Sequence, residues 1–123
     1  MSVNNFALCN LDKELLNRCL SGHYRSWEDF VDRFLGLVLH VIDYTVSKRD
    51  LRLNAENRNK LCEQVFAALC HNNYQLLQNF KEKSSLTTYL SVVTRRIVIR
   101  LLRNEALQNA TKQNKPAQSN KAA

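Results

Sequence analysis

The scarcity of glycine and proline is the feature that most constrains the fold of this chain. Its 123 residues contain two glycines and one proline. An all-β protein needs a turn about every 8–12 residues, and glycine and proline are the strongest turn formers. Because 45% of the residues are hydrophobic, the chain can form a buried core. The sequence therefore predicts a single all-α domain.

Apolar residues recur at helical spacing in several stretches, with cap residues at their boundaries. The first predicted helix covers residues 13–21, with Asp12 as its N-cap and Gly22 just after its C-terminus. Ser26, followed three residues later by Asp29, predicts a capping box at the start of a long second helix.

The second half of the chain predicts a further set of helices. Asn54 is expected to cap a third helix, which residues 71–73 interrupt, and a short helical piece follows at 74–79. Ser85 is expected to cap a last helix that ends near Leu107.

These segments predict a compact bundle of four to five helices over residues 1–108. Residues 109–123 contain little apolar surface, and we expect them to form a disordered, polar and basic tail.

The last helix carries two different stripes at about 100° per residue. One is apolar and is expected to face the core: Leu86, Leu90, Val93, Ile97 and Leu101. Residues of the second and third helices are expected to oppose it: Trp27, Phe30, Phe34, Val65, Phe66 and Leu69. The second stripe contains one aromatic residue and three arginines: Tyr89, Arg96, Arg100 and Arg103.

The positive charge is concentrated in the last third of the chain. Residues 81–123 contain nine Lys or Arg and two Asp or Glu. The excess of seven positive charges equals the net charge of +7 of the whole chain. Arginines beside an aromatic ring suit unpaired nucleic acid, because guanidinium groups pair with phosphates and rings stack on bases. A solvated basic face, with its tyrosine covering a neighbouring helix, is the alternative that the pattern leaves open.

Motifs for catalysis, metal binding and membrane insertion are missing from the sequence. It has no Gly-rich phosphate loop, no His-Glu-x-x-His and no Gly-x-Ser-x-Gly. Its four cysteines lack zinc-site spacing and are expected to be reduced thiols. It has no signal peptide and no apolar span of membrane length. We therefore expect a cytoplasmic protein that is not an enzyme, with no catalytic residues, metal, cofactor or membrane contact.

Three parts of the sequence together resemble a known family. Residues 22–27 read Gly-His-Tyr-Arg-Ser-Trp, residues 60–66 read Lys-Leu-Cys-Glu-Gln-Val-Phe, and residues 86–103 contain Tyr-Leu followed by Thr-Arg-Arg-Ile. Over residues 15–103 the chain resembles region two of bacterial RNA polymerase sigma factors of the extracytoplasmic-function type. That family commonly has Gly-Asp-x-x-Ala-Phe, Asp-Leu-x-Gln-Glu-Val-Phe, and Trp-Leu with Ala-Arg-Asn and Asp-x-x-Arg at these places.

The resemblance implies a module of transcription initiation. It implies that the third helix docks on core RNA polymerase, through Lys60, Leu61, Glu63 and Gln64. It further implies that the last helix binds the melted, single-stranded non-template strand of the minus-ten promoter element, through Tyr89, Arg95, Arg96, Arg100 and Arg103. An anti-sigma factor is a further partner that the resemblance implies.

The chain departs from the family pattern at five of these positions. Family acidic residues are replaced by His23, Lys60 and Arg100, the family Asn by Arg96, and the family Trp by Tyr89. These changes favour general phosphate attraction over base readout. Lys60 also favours an alternative, in which the chain is a helical interaction module that binds polymerase or a sigma regulator without reading promoter DNA.

Overall fold

The computed structural model describes the backbone of residues 2–114 and the side chains of residues 10–104. Within this range the chain forms four α-helices and no strand: α1 (Ser2–Leu20), α2 (Ser26–Lys48), α3 (Ala55–Gln78) and α4 (Leu86–Asn114). The predicted all-α bundle is confirmed. α2 lies at its centre and packs against the other three helices.

Helices α3 and α4 begin at the caps that the sequence predicts. The Asn54 side-chain oxygen accepts a 2.7 Å hydrogen bond from the backbone N–H of Asn57. The Ser85 hydroxyl accepts one of 3.1 Å from the backbone N–H of Thr88. Each cap satisfies a backbone donor that the first turn of a helix leaves without a partner.

Helix α1 ends at Leu20, and Gly22 lies just after its C-terminus as predicted. Gly22 adopts a φ of 75°, which glycine reaches without a steric penalty. The backbone N–H of Gly22 donates to the Cys19 carbonyl at 3.1 Å, and the N–H of His23 donates to the Arg18 carbonyl at 3.0 Å. These two bonds form a Schellman motif, which closes the last turn of α1.

The predicted start of α1 at Asp12 is wrong. The helix begins at Ser2, so Asp12 lies in its interior, where its side chain is buried. Both carboxylate oxygens accept hydrogen bonds from the Arg33 guanidinium on α2, at 2.9 and 3.1 Å. Asp12 therefore joins two helices instead of capping one.

The predicted capping box at the start of α2 is also wrong. The residue before the helix is Arg25, which adopts a left-handed φ of 61° and makes no side-chain cap bond. The Ser26 hydroxyl donates a 2.7 Å hydrogen bond to the backbone carbonyl of His23. Ser26 thus ties the preceding turn together, and it does not cap α2.

Helix α3 contains the predicted interruption. His71 has an extended ψ of 145°, and the three residues after it, Asn72, Asn73 and Tyr74, have φ between 55° and 61°. A left-handed conformation at three successive non-glycine residues breaks the helical ladder. The Tyr74 ring packs 5.5 Å from the Trp27 ring, which attaches the second part of α3 to α2.

The last helix is longer than predicted. It extends to Asn114, past the predicted end near Leu107. Residues 115–123 of the predicted tail lie outside the described residues.

The core contains the predicted stripe of α4. Leu86, Leu90, Val93 and Ile97 are buried, and Leu101 is half-buried against the same cluster. Five of the six residues predicted to oppose them are also buried: Phe30, Phe34, Val65, Phe66 and Leu69. The sixth, Trp27, is half-buried against the same cluster. This packing fixes the orientation of α4, so its opposite side faces solvent.

Candidate nucleic-acid and protein interfaces

The solvent side of α4 carries four exposed arginines: Arg95, Arg96, Arg100 and Arg103. None of them forms an ion pair within the part of the chain that the structure describes. Their guanidinium groups are hydrated and free to pair with an anionic partner.

The four arginines do not form a single patch. At about 100° per residue, Arg95 and Arg100 point about 140° apart around α4. Arg95 lies beside the C-terminal end of α2, in a cleft that also contains Lys48 and Arg49. Arg100 lies on the other side, in a pocket beside His71 of α3. By the same geometry, Arg96 and Arg103 point between these two directions.

Tyr89, the aromatic member of the predicted stripe, packs against the end of α3. Its ring is half-buried and lies 5.2 Å from the Phe80 ring. Its hydroxyl donates a 2.6 Å hydrogen bond to the backbone carbonyl of Leu76. Burial raises the pKa of this phenol, and the positive charge of Arg96 opposes that rise. Tyr89 thus covers a neighbouring helix, as in the alternative interpretation of the stripe.

The residues predicted to dock on polymerase separate into two groups. Lys60, Glu63 and Gln64 are exposed on α3. Leu61 is only 4% exposed and belongs to the hydrophobic core. Its predicted role as a contact residue is therefore corrected: its side chain supports α3 from inside, because the apolar stripe of the helix points towards α2.

An open apolar groove lies between α2 and α3. Its lining combines aromatic, aliphatic and thiol side chains with two polar residues: Trp27, Val31, Leu35, Leu39, Asn59, Cys62, Glu63, Phe66, Ala67 and Cys70. Leu35 is 39% exposed, and Val31 and Leu39 are half-buried. The groove therefore leaves apolar surface in contact with water beside the predicted docking residue Glu63.

Two residues of this groove, Leu35 and Leu39, are not among those predicted from the sequence. Together with Val31 they recur every four residues along α2, which places them on one side of the helix. In this second apolar row, Val31 and Leu39 pack against the core and Leu35 is exposed. The four-residue spacing of these apolar residues is the sequence feature that predicts the row.

The thiols and acidic residues form no metal centre within the described residues. No group of three or more His, Cys, Asp or Glu side chains there is close enough to share an ion. Cys19 and Cys62 are buried free thiols, and desolvation raises the pKa of each.

Among residues 2–114, no helix combines the length and the apolar character that crossing a membrane requires.

Comparisons of the chain with known protein families, with curated protein sequences and with solved structures find no match. The functional assignment therefore depends on the residues themselves.

Proposed function

We propose that this chain is a sigma-factor-like module of transcription initiation, which docks on core RNA polymerase and binds the melted minus-ten strand of a promoter. The observation that carries the proposal is the solvent side of α4. Arg96, Arg100 and Arg103 are exposed there and form no ion pair with described residues.

The chemistry of this surface matches a nucleic-acid strand. Guanidinium groups bind phosphate oxygens through two parallel N–H donors, a geometry that a point charge such as the lysine ammonium does not offer. The described carboxylates leave these arginines free, so binding a strand breaks no ion pair among the described residues. The exposed row runs along a helix whose other side is fixed in the core, which keeps the arginines at constant spacing.

The groove between α2 and α3 supports the docking part of the proposal. An apolar groove with polar residues at its edge accepts the apolar side of a partner helix. Glu63 lines the groove, and Lys60 and Gln64 lie exposed on the same helix. A partner helix seated there would bury Leu35 and meet charges of both signs.

A second function is favoured by the same groove. The chain could bind polymerase, or a regulator of sigma factors, through the groove without any contact to DNA. Tyr89 favours this interpretation, because its hydroxyl and its contact with Phe80 serve the packing of α3. The two functions differ in one property, which is binding of a single DNA strand by α4.

Fluorescence anisotropy with labelled single-stranded and duplex oligonucleotides, measured over a range of salt, tests the proposal. The wild type should prefer the single strand. Arg96→Ala and Arg100→Ala should each weaken binding, and each should reduce the slope of log affinity against log salt by about 0.7. Arg18→Ala is the matched control, because Arg18 is exposed and unpaired among the described residues of α1.

The basic residues after α4 need a separate control, because lysines in a polar segment can bind any polyanion. A chain ending at Asn114 removes Lys115 and Lys121. If this chain loses all binding while the α4 variants bind like wild type, the arginines of α4 do not hold the strand. The interaction-module function would then replace the proposal.

A further inference from the structure

The cleft between the C-terminal end of α2 and the middle of α4 combines basic and hydroxyl groups. Its lining residues are Tyr44, Thr45, Lys48, Arg49, Arg95 and Ile99. Of these six, only Arg95 is among the binding residues predicted from the sequence. Lys48 and Arg49 are close to it because α2 packs along α4.

Three positive charges line this cleft without a negative partner. Lys48, Arg49 and Arg95 are exposed, and none of them is ion-paired to a described carboxylate. The Lys48 ammonium lies 5.3 Å from the centre of the Tyr44 ring, which holds it by a cation–π contact. Since like charges repel, an anion in the cleft would stabilise the arrangement.

A buried hydroxyl gives an independent indication of a ligand. Thr45 lines the cleft and is 3% exposed, and its Oγ1 has no hydrogen-bond partner among the described residues. Buried polar groups are almost always hydrogen-bonded, because burying an unpaired one destabilises the fold. Thr94 has the same property, but it does not line the cleft.

We propose that this cleft is a phosphate-binding site and that it holds a backbone phosphate of a nucleic-acid strand. Guanidinium, ammonium and hydroxyl donors together are the groups that recognise phosphate oxygens. Arg103 lies about 12 Å further along the axis of α4 than Arg95, so a strand seated in the cleft can continue along the helix. The inference deepens the proposed function and rests on it only for the source of the phosphate.

Two variants and two matched controls test the site. Arg95→Gln removes one charge of the cleft, and Thr45→Val removes the hydroxyl while keeping the side-chain shape. Arg18→Gln and Thr94→Val make the same chemical changes elsewhere. Denaturation by urea establishes that all four variants are folded before binding is measured.

Oligonucleotide binding is one arm of the experiment. Arg95→Gln should weaken single-strand binding about tenfold and reduce the salt slope by about 0.7. Thr45→Val should weaken it about two- to tenfold, and its slope should equal that of the wild type because no charge is lost. Both controls should bind like wild type.

Inorganic phosphate is the second arm, followed by NMR shifts of Lys48, Arg49 and Arg95. The wild type should show saturable shifts there, which Thr45→Val reduces. If Arg95→Gln and Thr45→Val lose the phosphate-induced NMR shifts but bind the oligonucleotide like wild type, the site binds phosphate but the phosphate does not come from a nucleic-acid strand. Wild-type behaviour of both variants in both arms would overturn the site itself. Polymerase binding enters neither arm, so a chain that does not bind polymerase can still pass this test.

Discussion

The Tyr89 hydroxyl on α4 donates a 2.6 Å hydrogen bond to the backbone carbonyl of Leu76 in the last turn of α3. The last four carbonyls of a helix have no partner within it, so this bond satisfies a group that α3 cannot. The Tyr89 ring also packs on Phe80, just after α3 ends. One side chain therefore fixes how the chain leaves α3 and enters α4.

Tyr89→Phe should lower the free energy of unfolding by about 0.5–1.5 kcal/mol, because it removes one hydrogen bond and leaves the Leu76 carbonyl without a partner. Single-strand DNA affinity should stay at the wild-type value, since the ring remains. Urea denaturation measures the first effect and anisotropy the second. Unchanged stability would mean that the hydroxyl bond contributes nothing to the fold.

The burial of the Tyr89 phenol should also make the fold sensitive to alkali. Burial raises the pKa of Tyr89 above its usual value near 10, so the folded state favours the neutral phenol. Its stabilisation is complete below the unfolded pKa and is lost as pH rises through the folded pKa. The stability difference between wild type and Tyr89→Phe should therefore shrink between about pH 10 and about pH 12. A constant difference over that range would contradict the assignment. The buried thiols Cys19 and Cys62 also titrate at high pH, but both proteins contain them, so their effect cancels in the comparison.

Asp12→Asn should lower the free energy of unfolding by about 1.5–3 kcal/mol, because charge-assisted hydrogen bonds are stronger than neutral ones. The Asp12 side chain is 7% exposed, whereas its partner Arg33 is 40% exposed and can regain water when the pair is broken. Urea denaturation of this variant is compared with that of Asp43→Asn. Asp43 pairs with Arg58 at the surface and should matter much less. Equal effects of the two changes would contradict the link between α1 and α2.

These residues show which features of the fold were predictable from sequence. Asn54 and Ser85 cap their helices through groups three residues away, so their role is visible in a short window. Asp12 resembles a cap by the same local rule, but its partner Arg33 lies 21 residues away on another helix. Local rules do not report such a long-range pair, so they mistake a residue that joins two helices for a cap.

The candidate interfaces show the same limit. The sequence placed Arg95 among the DNA-binding residues, but its neighbours Lys48 and Arg49 come from the end of α2. Their proximity depends on how α2 packs against α4, which helical periodicity does not specify. The exposed groove residue Leu35 could have been found, because its four-residue spacing is local.

The two glycines should respond in opposite directions to substitution by alanine. Gly22→Ala should cost about 1–2 kcal/mol, because Gly22 has a φ of 75° and an L-residue is strained there even in open space. Gly36→Ala should stabilise by about 0.5–1 kcal/mol, because Gly36 lies within α2 and an added Cβ would meet no atom within 4 Å. Thermal unfolding of both variants checks the pair. Destabilisation by Gly36→Ala would show that the surface of α2 is more crowded there than in this structure.

Retention of purified core RNA polymerase by the immobilised chain tests the central claim most directly. The wild type should retain the polymerase, and Glu63→Lys should reduce retention several-fold, because it reverses the charge of an exposed groove residue and leaves the core unchanged. Glu14→Lys, the same change on the exposed surface of α1, should retain it like wild type. If the wild type retains no polymerase, or if both variants retain as much as the wild type, the chain does not dock through this groove and the sigma-like function is wrong.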